Sequence, residues 1–156
     1  MLFFHGLTSS RPLQEILAEF EKEKPGFAML LKPGFAAFAP LVTYSILLSF
    51  KAFQEGRNTA ATPELEAMRF LSCRSNVAAA AEFCKPEGSE MLVVSDGKIG
   101  GLLKKLGTAV KIAGKTRLDR KDAKWLAKQY GIDAGKKTPR EIKRLVREKI
   151  VAFSLD

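Results

Sequence analysis

The sequence predicts an α/β domain of α+β-like organisation, in which several helices cover a small mixed β-sheet. Its 156 residues suit one domain with a proper core. The content of 46% hydrophobic and 28% charged residues is typical of a folded globular protein. Short apolar runs with strand character are separated by longer segments with helical spacing. No internal repeat or flexible linker interrupts this order, so we predict a single domain over residues 1–156.

The first half of the chain alternates between short strands and helices. Gly6, Pro25-Gly26 and Pro33-Gly34 supply the breaks between them. An amphipathic pattern after Pro12 and a proline at position 40 mark two helix starts. The predicted strands are 1–5 and 27–31, and the predicted helices are 10–24, 40–54, 63–72 and 75–84.

The second half has the clearer helix caps. Asp119 is a predicted N-cap, and Gly131 is placed to end the same helix in a left-handed conformation. Thr138, Pro139 and Glu141 have the spacing of a capping box with proline at the first helical position. The predicted strands are 91–95 and 109–113, and the predicted helices are 99–106, 119–130 and 138–152.

Residues 33–50 carry no charge over 18 positions, which is the lower limit of a membrane span. Prolines at both 33 and 40 and several hydroxyl side chains dilute this stretch. We therefore predict a core helix over 40–54 and no membrane partner, with membrane association as the alternative.

Charge is distributed unevenly along the chain. Residues 1–97 hold 9 basic and 11 acidic side chains, a net charge of −2, whereas residues 98–156 hold 17 and 6, a net charge of +11. A strongly basic half favours an acidic partner, most commonly nucleic acid and next an anionic membrane. The alternative is a lysine-rich surface without a partner. Cys73 and Cys84 fit neither a metal site nor a disulfide scaffold, which indicates reduced thiols in an intracellular protein.

The sequence shows no catalytic or metal-binding set. His5 is the only histidine and has no carboxylate or cysteine at a useful spacing. The pairs Glu21/Glu23 and Glu64/Glu66 are interpreted as solvated helix charges. We therefore predict no catalytic residues, no metal, no cofactor and no small-molecule substrate.

Two features could contact phosphate. The segment 96–101, with Gly97-Lys98-Ile99-Gly100 at its centre, is either a plain turn between a strand and a helix or a phosphate contact at a helix start. Basic side chains also form stripes on the last two helices, and like charges at this spacing repel unless an anion is present. The stripes comprise Arg120, Lys124 and Lys128 on one helix, and Arg140, Lys143, Arg144 and Arg147 on the other.

Trp125 could pack in the core or offer a plane for base stacking.

The chain resembles, in its order of elements and most recognisably over residues 40–82, the small subunit of the KEOPS (EKC) complex that binds the kinase-like ATPase of that complex. The resemblance is carried by Asn58-Thr59-Ala60, in a turn after an apolar helix, and by Leu65-Glu66 and Phe70-Leu71-Ser72, in the predicted helix that follows. The closing segment 148–153 is also similar. The chain departs from the family pattern at four positions, with Cys73 where glycine is usual, Ser75 for arginine, Asn76 for glutamine and Val77 for isoleucine.

The resemblance implies a cytoplasmic, non-catalytic subunit. Its partners would be the kinase-like ATPase and tRNA, which the family captures largely through the CCA 3′ end for threonylcarbamoyladenosine formation at position 37. The alternatives are a protein adaptor without RNA affinity and a small enzyme using His5 or the Gly97 turn. For partner binding we name Phe153. For RNA binding we name the helix cluster and strand end: Lys51, Arg57, Asn58, Arg69, Arg74, Lys98, Lys104 and Lys105.

Overall fold

Seven α-helices and four β-strands make up most of the described structure, a computed structural model in which residues 1–24, 26–112 and 118–156 are described. In chain order the elements are β1 (Phe3–Thr8), α1 (Leu13–Glu23), β2 (Ala28–Leu31), a 3-10 helix (Pro33–Phe38), α2 (Ala39–Gln54), α3 (Pro63–Ser72), α4 (Val77–Cys84), β3 (Glu90–Ser95), α5 (Gly100–Leu106), β4 (Thr108–Lys111), α6 (Arg120–Gln129) and α7 (Pro139–Leu155).

The predicted fold class is confirmed, since the chain is a single domain of mixed α and β structure. Its residue contacts divide between two compact units. The sheet unit comprises Met1–Ala36 and Cys84–Ala113, and the helical unit comprises Ala37–Phe83 and Gly114–Asp156. Each predicted helix and strand is present, with ends that differ by a few residues. The end of the last predicted strand, at 113, lies outside the described residues.

The sheet unit is built on four strands in the order β2-β3-β1-β4. Its three pairings are all antiparallel, so the prediction of a mixed sheet was wrong. Helices α1 and α5 pack on one face through a cluster of buried side chains that includes Leu7, Phe20, Val93 and Leu103. Because strand side chains alternate between faces, Leu7 and Val93 bring the same face of β1 and β3 to these helices.

Strand β1 continues beyond the glycine that was predicted to end it. Gly6 lies in the middle of the ladder, opposite Leu92 on one side and Val110 on the other. A Cβ at Gly6 would lie 3.6 Å from Cδ1 of Ile112, an ordinary contact distance. The backbone ladder needs no side chain at this position, which is why the glycine does not break the strand.

The helical unit is organised around α2, whose buried side chains lie on one face. Helices α3 and α7 pack with α2, and α7 also packs with α6. Two serines on the buried face are satisfied locally, since Ser45 donates to the carbonyl of Leu41 at 3.0 Å and Ser49 donates to that of Pro63 at 2.6 Å. The second bond joins the middle of α2 to the start of α3.

Helix α2 is less buried than predicted. By length and composition, the 22-residue helical stretch Pro33–Gln54 is the one candidate membrane span among residues 1–24, 26–112 and 118–156. Only 39% of its most apolar window is buried. The remaining apolar surface includes Leu47, which is 59% exposed. The helix thus contributes one face to the core and leaves a second apolar face uncovered by the described residues.

The predicted helix caps are confirmed. Asp119 accepts from the backbone N–H of Asp122 at 2.8 Å, and Gly131 has a φ of 62°. Thr138 and Glu141 form a reciprocal capping box at the start of α7. These caps fix the starts of two helices on which the basic side chains are concentrated.

Candidate nucleic-acid interface

The loop between α2 and α3 is held by a buried carboxylate. Glu66 lies on α3 and is 1% exposed. Its Oε2 accepts backbone N–H bonds from Thr59 at 3.1 Å and Ala60 at 2.7 Å. The interpretation of Glu66 as a solvated helix charge was therefore wrong. A charged acceptor of backbone N–H groups forms stronger bonds than a neutral one, so the loop is fixed to α3.

Arg69 completes this buried arrangement. Its Nη1 donates to Oε1 of Glu66 at 2.7 Å, and its Nε donates to the carbonyl oxygen of Ser75 at 2.8 Å. Its guanidinium also lies over the ring of Phe153, 5.7 Å from the ring centroid. With its side chain only 11% exposed, Arg69 serves the packing of the helical unit. We therefore leave it out of the proposed RNA contacts.

Phe153, named for partner binding, is half-buried. Its ring packs edge-on against that of Phe70, with centroids 6.0 Å apart, and covers Arg69. An aromatic ring with these two neighbours contributes to packing within its own unit, so little of it remains for a partner.

The turn between α3 and α4 has left-handed backbone at Cys73, where φ is 54°. The N–H groups of Cys73 and Arg74 bond to the carbonyls of Phe70 and Arg69, which is the pattern of a Schellman helix end. Burial raises the pKa of the Cys73 thiol to about 11, so the thiol is neutral at physiological pH. Arg74 is exposed, with its guanidinium 5.3 Å from the ring centroid of Phe83.

Lys51 and Arg57 lie on either side of one carboxylate. Glu55, at the end of α2, is 3.9 Å from the ammonium of Lys51 and accepts from Nε of Arg57 at 2.6 Å. Both cations are more than half exposed. The amide of Asn58 donates to the carbonyl of Ala60 at 3.0 Å, which stabilises the turn.

The structure thus brings together five of the eight predicted RNA-binding residues. Glu66 joins the loop that carries Arg57 and Asn58 to Arg69, whose carbonyl accepts from the N–H of Arg74. Lys51 joins the same loop through Glu55. The exposed cations Lys51, Arg57 and Arg74 are therefore carried by one assembly, joined by hydrogen bonds and ion pairs, that comprises the C-terminal end of α2 from Lys51 onward, the loop, α3 and the α3–α4 turn. We call it the loop assembly.

The other three predicted residues belong to the sheet unit. Lys98 and Lys104 are exposed, the first in the turn after β3 and the second on α5. Lys105 donates to Glu23 of α1 at 2.9 Å. That hydrogen bond raises the pKa of Lys105 and lowers the pKa of Glu23. Lys105 therefore already has an anionic partner.

The glycine-rich turn after β3 is stabilised by its own side chains. Asp96 accepts from the N–H of Phe27 at 3.1 Å, and Ser95 donates to the carbonyl of Gly97 at 2.9 Å. The following helix α5 has only seven residues and no side-chain cap. These contacts favour the plain turn over the phosphate contact.

A second basic surface, not included among the predicted site residues, lies on α7. Arg140, Lys143 and Arg147 line a groove whose other wall is the exposed apolar face of α2. The guanidinium of Arg147 lies 5.8 Å from the ring centroid of Tyr44 on α2. The spacing of these basic residues was visible in the sequence. Their position beside α2 was not, because it depends on how two helices separated by more than 80 residues pack.

His5 lies within β1, opposite Val93 and Lys111. Burial, followed by the charge of Lys111, lowers its pKa, and its Nδ1 is buried without a hydrogen-bond partner among the described residues. Within residues 1–24, 26–112 and 118–156, no group of three or more His, Cys, Asp or Glu side chains could hold a metal ion.

The chain matches no protein-family model, and comparison with curated proteins finds no match.

Proposed function

We propose that this chain is a non-catalytic accessory subunit of the KEOPS complex, which binds its kinase-like ATPase subunit and recruits tRNA. The tRNA would be the substrate for threonylcarbamoyladenosine modification at position 37, and the cytoplasm would be the compartment. The observation that carries the proposal is the buried Glu66 carboxylate, which holds the Thr59–Ala60 turn against α3.

This observation supports the proposal because it gives a physical role to the residues of the resemblance. Asn58, Ala60 and Glu66 each take part in fixing the turn. A fixed turn presents its flanking cations in one geometry and so reduces the conformational entropy lost on binding. An accessory subunit that positions RNA needs such a rigid surface and no reactive group.

The exposed cations of the loop assembly supply the expected RNA chemistry. Lys51, Arg57 and Arg74 offer positive charge for phosphates, and Arg guanidinium groups can also stack on bases. Arg74 stays over Phe83, which orients it without neutralising it. Glu55 lies between Lys51 and Arg57, so phosphate would compete with this carboxylate for them.

The test compares tRNA with an intact CCA 3′ end and tRNA from which CCA has been removed. The purified chain should retard intact tRNA in a gel and bind trimmed tRNA much more weakly, since single-stranded ends offer unpaired bases. Replacing both Arg57 and Arg74 by alanine should weaken binding of the intact tRNA. Lys22→Ala provides the control, because Lys22 is an exposed cation on α1 among glutamates.

Equal affinity for trimmed and intact tRNA would contradict the proposal. Co-purification with a kinase-like ATPase, without RNA affinity at physiological salt, would instead favour the adaptor function. Loss of tRNA binding in Lys22→Ala to the same degree as in the double variant would show binding by net charge alone.

A further inference from the structure

A groove with a cavity volume of about 940 Å³ runs between α2 and α7 in the helical unit. One wall is apolar and comes from α2, and the other is basic and comes from α7. We call it the α2–α7 groove. Its described lining contains no acidic side chain. No residue of the loop assembly lines it, so it is a separate surface.

The apolar wall follows helical periodicity. Pro40, Thr43, Tyr44 and Leu47 stand at i, i+3, i+4 and i+7, so they form one continuous stripe along α2. This stripe is distinct from the face that α2 buries, which carries Leu41, Val42, Ser45, Ile46, Ser49 and Ala52. Helix α2 therefore has two apolar faces, and the described chain covers one of them.

Exposure of the second face is unfavourable. Leu47 is 59% exposed, and Tyr44 is half-buried. Covering a leucine side chain is favourable because it removes apolar surface from water. Contiguous exposed apolar surface rimmed by polar side chains is typical of an interaction site. The occupant must therefore bring apolar side chains of its own.

The basic wall has a matching stripe. Arg140, Lys143 and Arg147 stand at i, i+3 and i+7 on α7. Among residues 1–24, 26–112 and 118–156, none of the three has a carboxylate within ion-pair distance, whereas the neighbouring Arg144 pairs with Glu148 at 3.6 Å. The three cations of the groove are thus available to acidic groups of an occupant, although the guanidinium of Arg147 already lies over Tyr44.

We infer that the α2–α7 groove binds an acidic amphipathic helix of a partner protein. The apolar side chains of such a helix, at i, i+3, i+4 and i+7, would cover the Tyr44 and Leu47 stripe. Its carboxylates, on the adjacent face, would meet Arg140, Lys143 and Arg147. This is the helix-in-groove mode of recognition, with the partner's orientation fixed by charge.

RNA fits the groove less well. Single strands bind through stacked aromatic rings and a phosphate track. The described lining has one aromatic ring, Tyr44, and Arg147 already lies over it. Apart from Tyr44 and the three cations, the lining consists of proline, alanine, leucine and threonine side chains, which offer no stacking plane. A bilayer surface is a poorer fit as well, because a bilayer is broad and flat, whereas the apolar stripe forms one wall of a groove.

The inference does not rest on the proposed function, since it uses neither tRNA nor the loop assembly. It is tested by fluorescence anisotropy with the full chain and synthetic peptides of about 18 residues, long enough to form a helix. The binding peptides carry Leu, Phe or Trp at i, i+3, i+4 and i+7 and Glu on the adjacent face. The controls are scrambled peptides of the same composition and peptides with Lys in place of Glu.

The variants separate the groove from general charge effects. Lys143→Glu and Leu47→Asp should each weaken binding of the acidic amphipathic peptide by about tenfold or more. Arg144→Glu makes the same charge change on the same helix outside the groove and should weaken it by less than about twofold. The control peptide that carries Lys in place of Glu should bind the Lys143→Glu variant more tightly than it binds the unsubstituted chain. Circular dichroism verifies that each variant is folded.

Several outcomes would overturn the inference. The scrambled peptides could bind as tightly as the amphipathic ones, or none of the acidic peptides could bind. Lys143→Glu and Arg144→Glu could weaken binding equally, which would indicate attraction by net charge. Finally, single-stranded RNA, or vesicles of phosphatidylcholine and phosphatidylserine, could bind more tightly than the peptides with the same dependence on Lys143 and Leu47.

Discussion

At the scale of single residues, Glu66 joins the parts of the loop assembly. Its carboxylate has three donors: two backbone N–H groups of the loop and the guanidinium of Arg69. A buried charge is tolerated only when it is paired and hydrogen-bonded, and these donors meet that condition. Glu66, Arg69 and Ala60 are all buried, so these three residues depend on one another for their hydrogen bonds.

We expect Glu66→Ala to lower the free energy of unfolding by ~3–5 kcal/mol, since it leaves Arg69 buried without its counter-charge. Glu66→Gln should cost less, because the amide oxygen can still accept from one of the loop N–H groups. The measurement is the urea denaturation midpoint. Glu148→Ala is the control: its exposed pair with Arg144 is worth ~0–1 kcal/mol. Equal losses in Glu66→Ala and Glu148→Ala would contradict this account.

Cys73 gives a second prediction at this scale. Left-handed backbone costs a residue with a Cβ about 1–2 kcal/mol, and Cys73 has a φ of 54°. Cys73→Gly should therefore be more stable than Cys73→Ala by ~1 kcal/mol, measured as the difference between their thermal unfolding free energies. Comparing these two variants removes the contribution of the thiol. If alanine proved as stable as glycine, the α3–α4 turn would have a different backbone.

The sequence could not distinguish buried from exposed charges. Glu66 and Glu64 stand in the same first helical turn, and only packing decides which of them faces the loop. The same is true of Arg69 and Arg74, of which one is buried and the other exposed. The signal that could have singled out Glu66 is its place in the family resemblance, where it follows the Asn58-Thr59-Ala60 turn.

At the scale of elements, the sequence predicted helices and strands well wherever local chemistry decides them. The capping box at Thr138 and the glycine at 131 were readable because their bonds join residues close in the chain. Strand β1 was predicted to end too early because its ladder depends on partners about 90 residues away. The antiparallel pairing was unreadable for the same reason.

The connection from α5 to β4 requires a glycine at position 107, because the backbone of Thr8, which is distant in the sequence, lies against it. A Cβ at Gly107 would lie 3.0 Å from the carbonyl carbon of Thr8 and closer still to its oxygen, and backbone cannot move away cheaply. We expect Gly107→Ala to destabilise the chain by ~2 kcal/mol or more, through strain between α5, β4 and β1. Urea denaturation measures the loss.

Gly101→Ala provides the matched control for this prediction. Gly101 lies within α5, and a Cβ there would meet nothing within 4 Å. Alanine in a helix is favoured over glycine by ~0.5–1 kcal/mol, so this variant should be more stable than the parent chain. Opposite signs for the two substitutions are the expected result. A neutral Gly107→Ala would show that β4 does not pass beside Thr8 in this way.

At the scale of the whole molecule, the positive charge lies mainly in residues 98–156, as the sequence indicated. The structure adds that these residues belong to both units and that the basic residues of α7 adjoin an apolar helix face. The predicted RNA-binding cations of the loop assembly come from the other, nearly neutral part of the chain. Charge counts alone therefore located the basic helices but could not identify the loop assembly, which was found through the resemblance.

The dependence of the proposed tRNA binding on salt tests which cations contact phosphate. Each phosphate contact adds ~0.7–0.9 to the slope of log affinity against log salt, because a condensed counterion is released. Arg57→Ala and Arg74→Ala should each lower the slope by about that amount, and the effects should add because each would remove a separate contact. Lys22→Ala should leave the slope unchanged.

Arg69→Ala is unsuitable, since it would disturb the fold through Glu66. Unchanged slopes in both arginine variants would place the phosphate contacts elsewhere, with the α6 stripe of Arg120, Lys124 and Lys128 as the next set to replace.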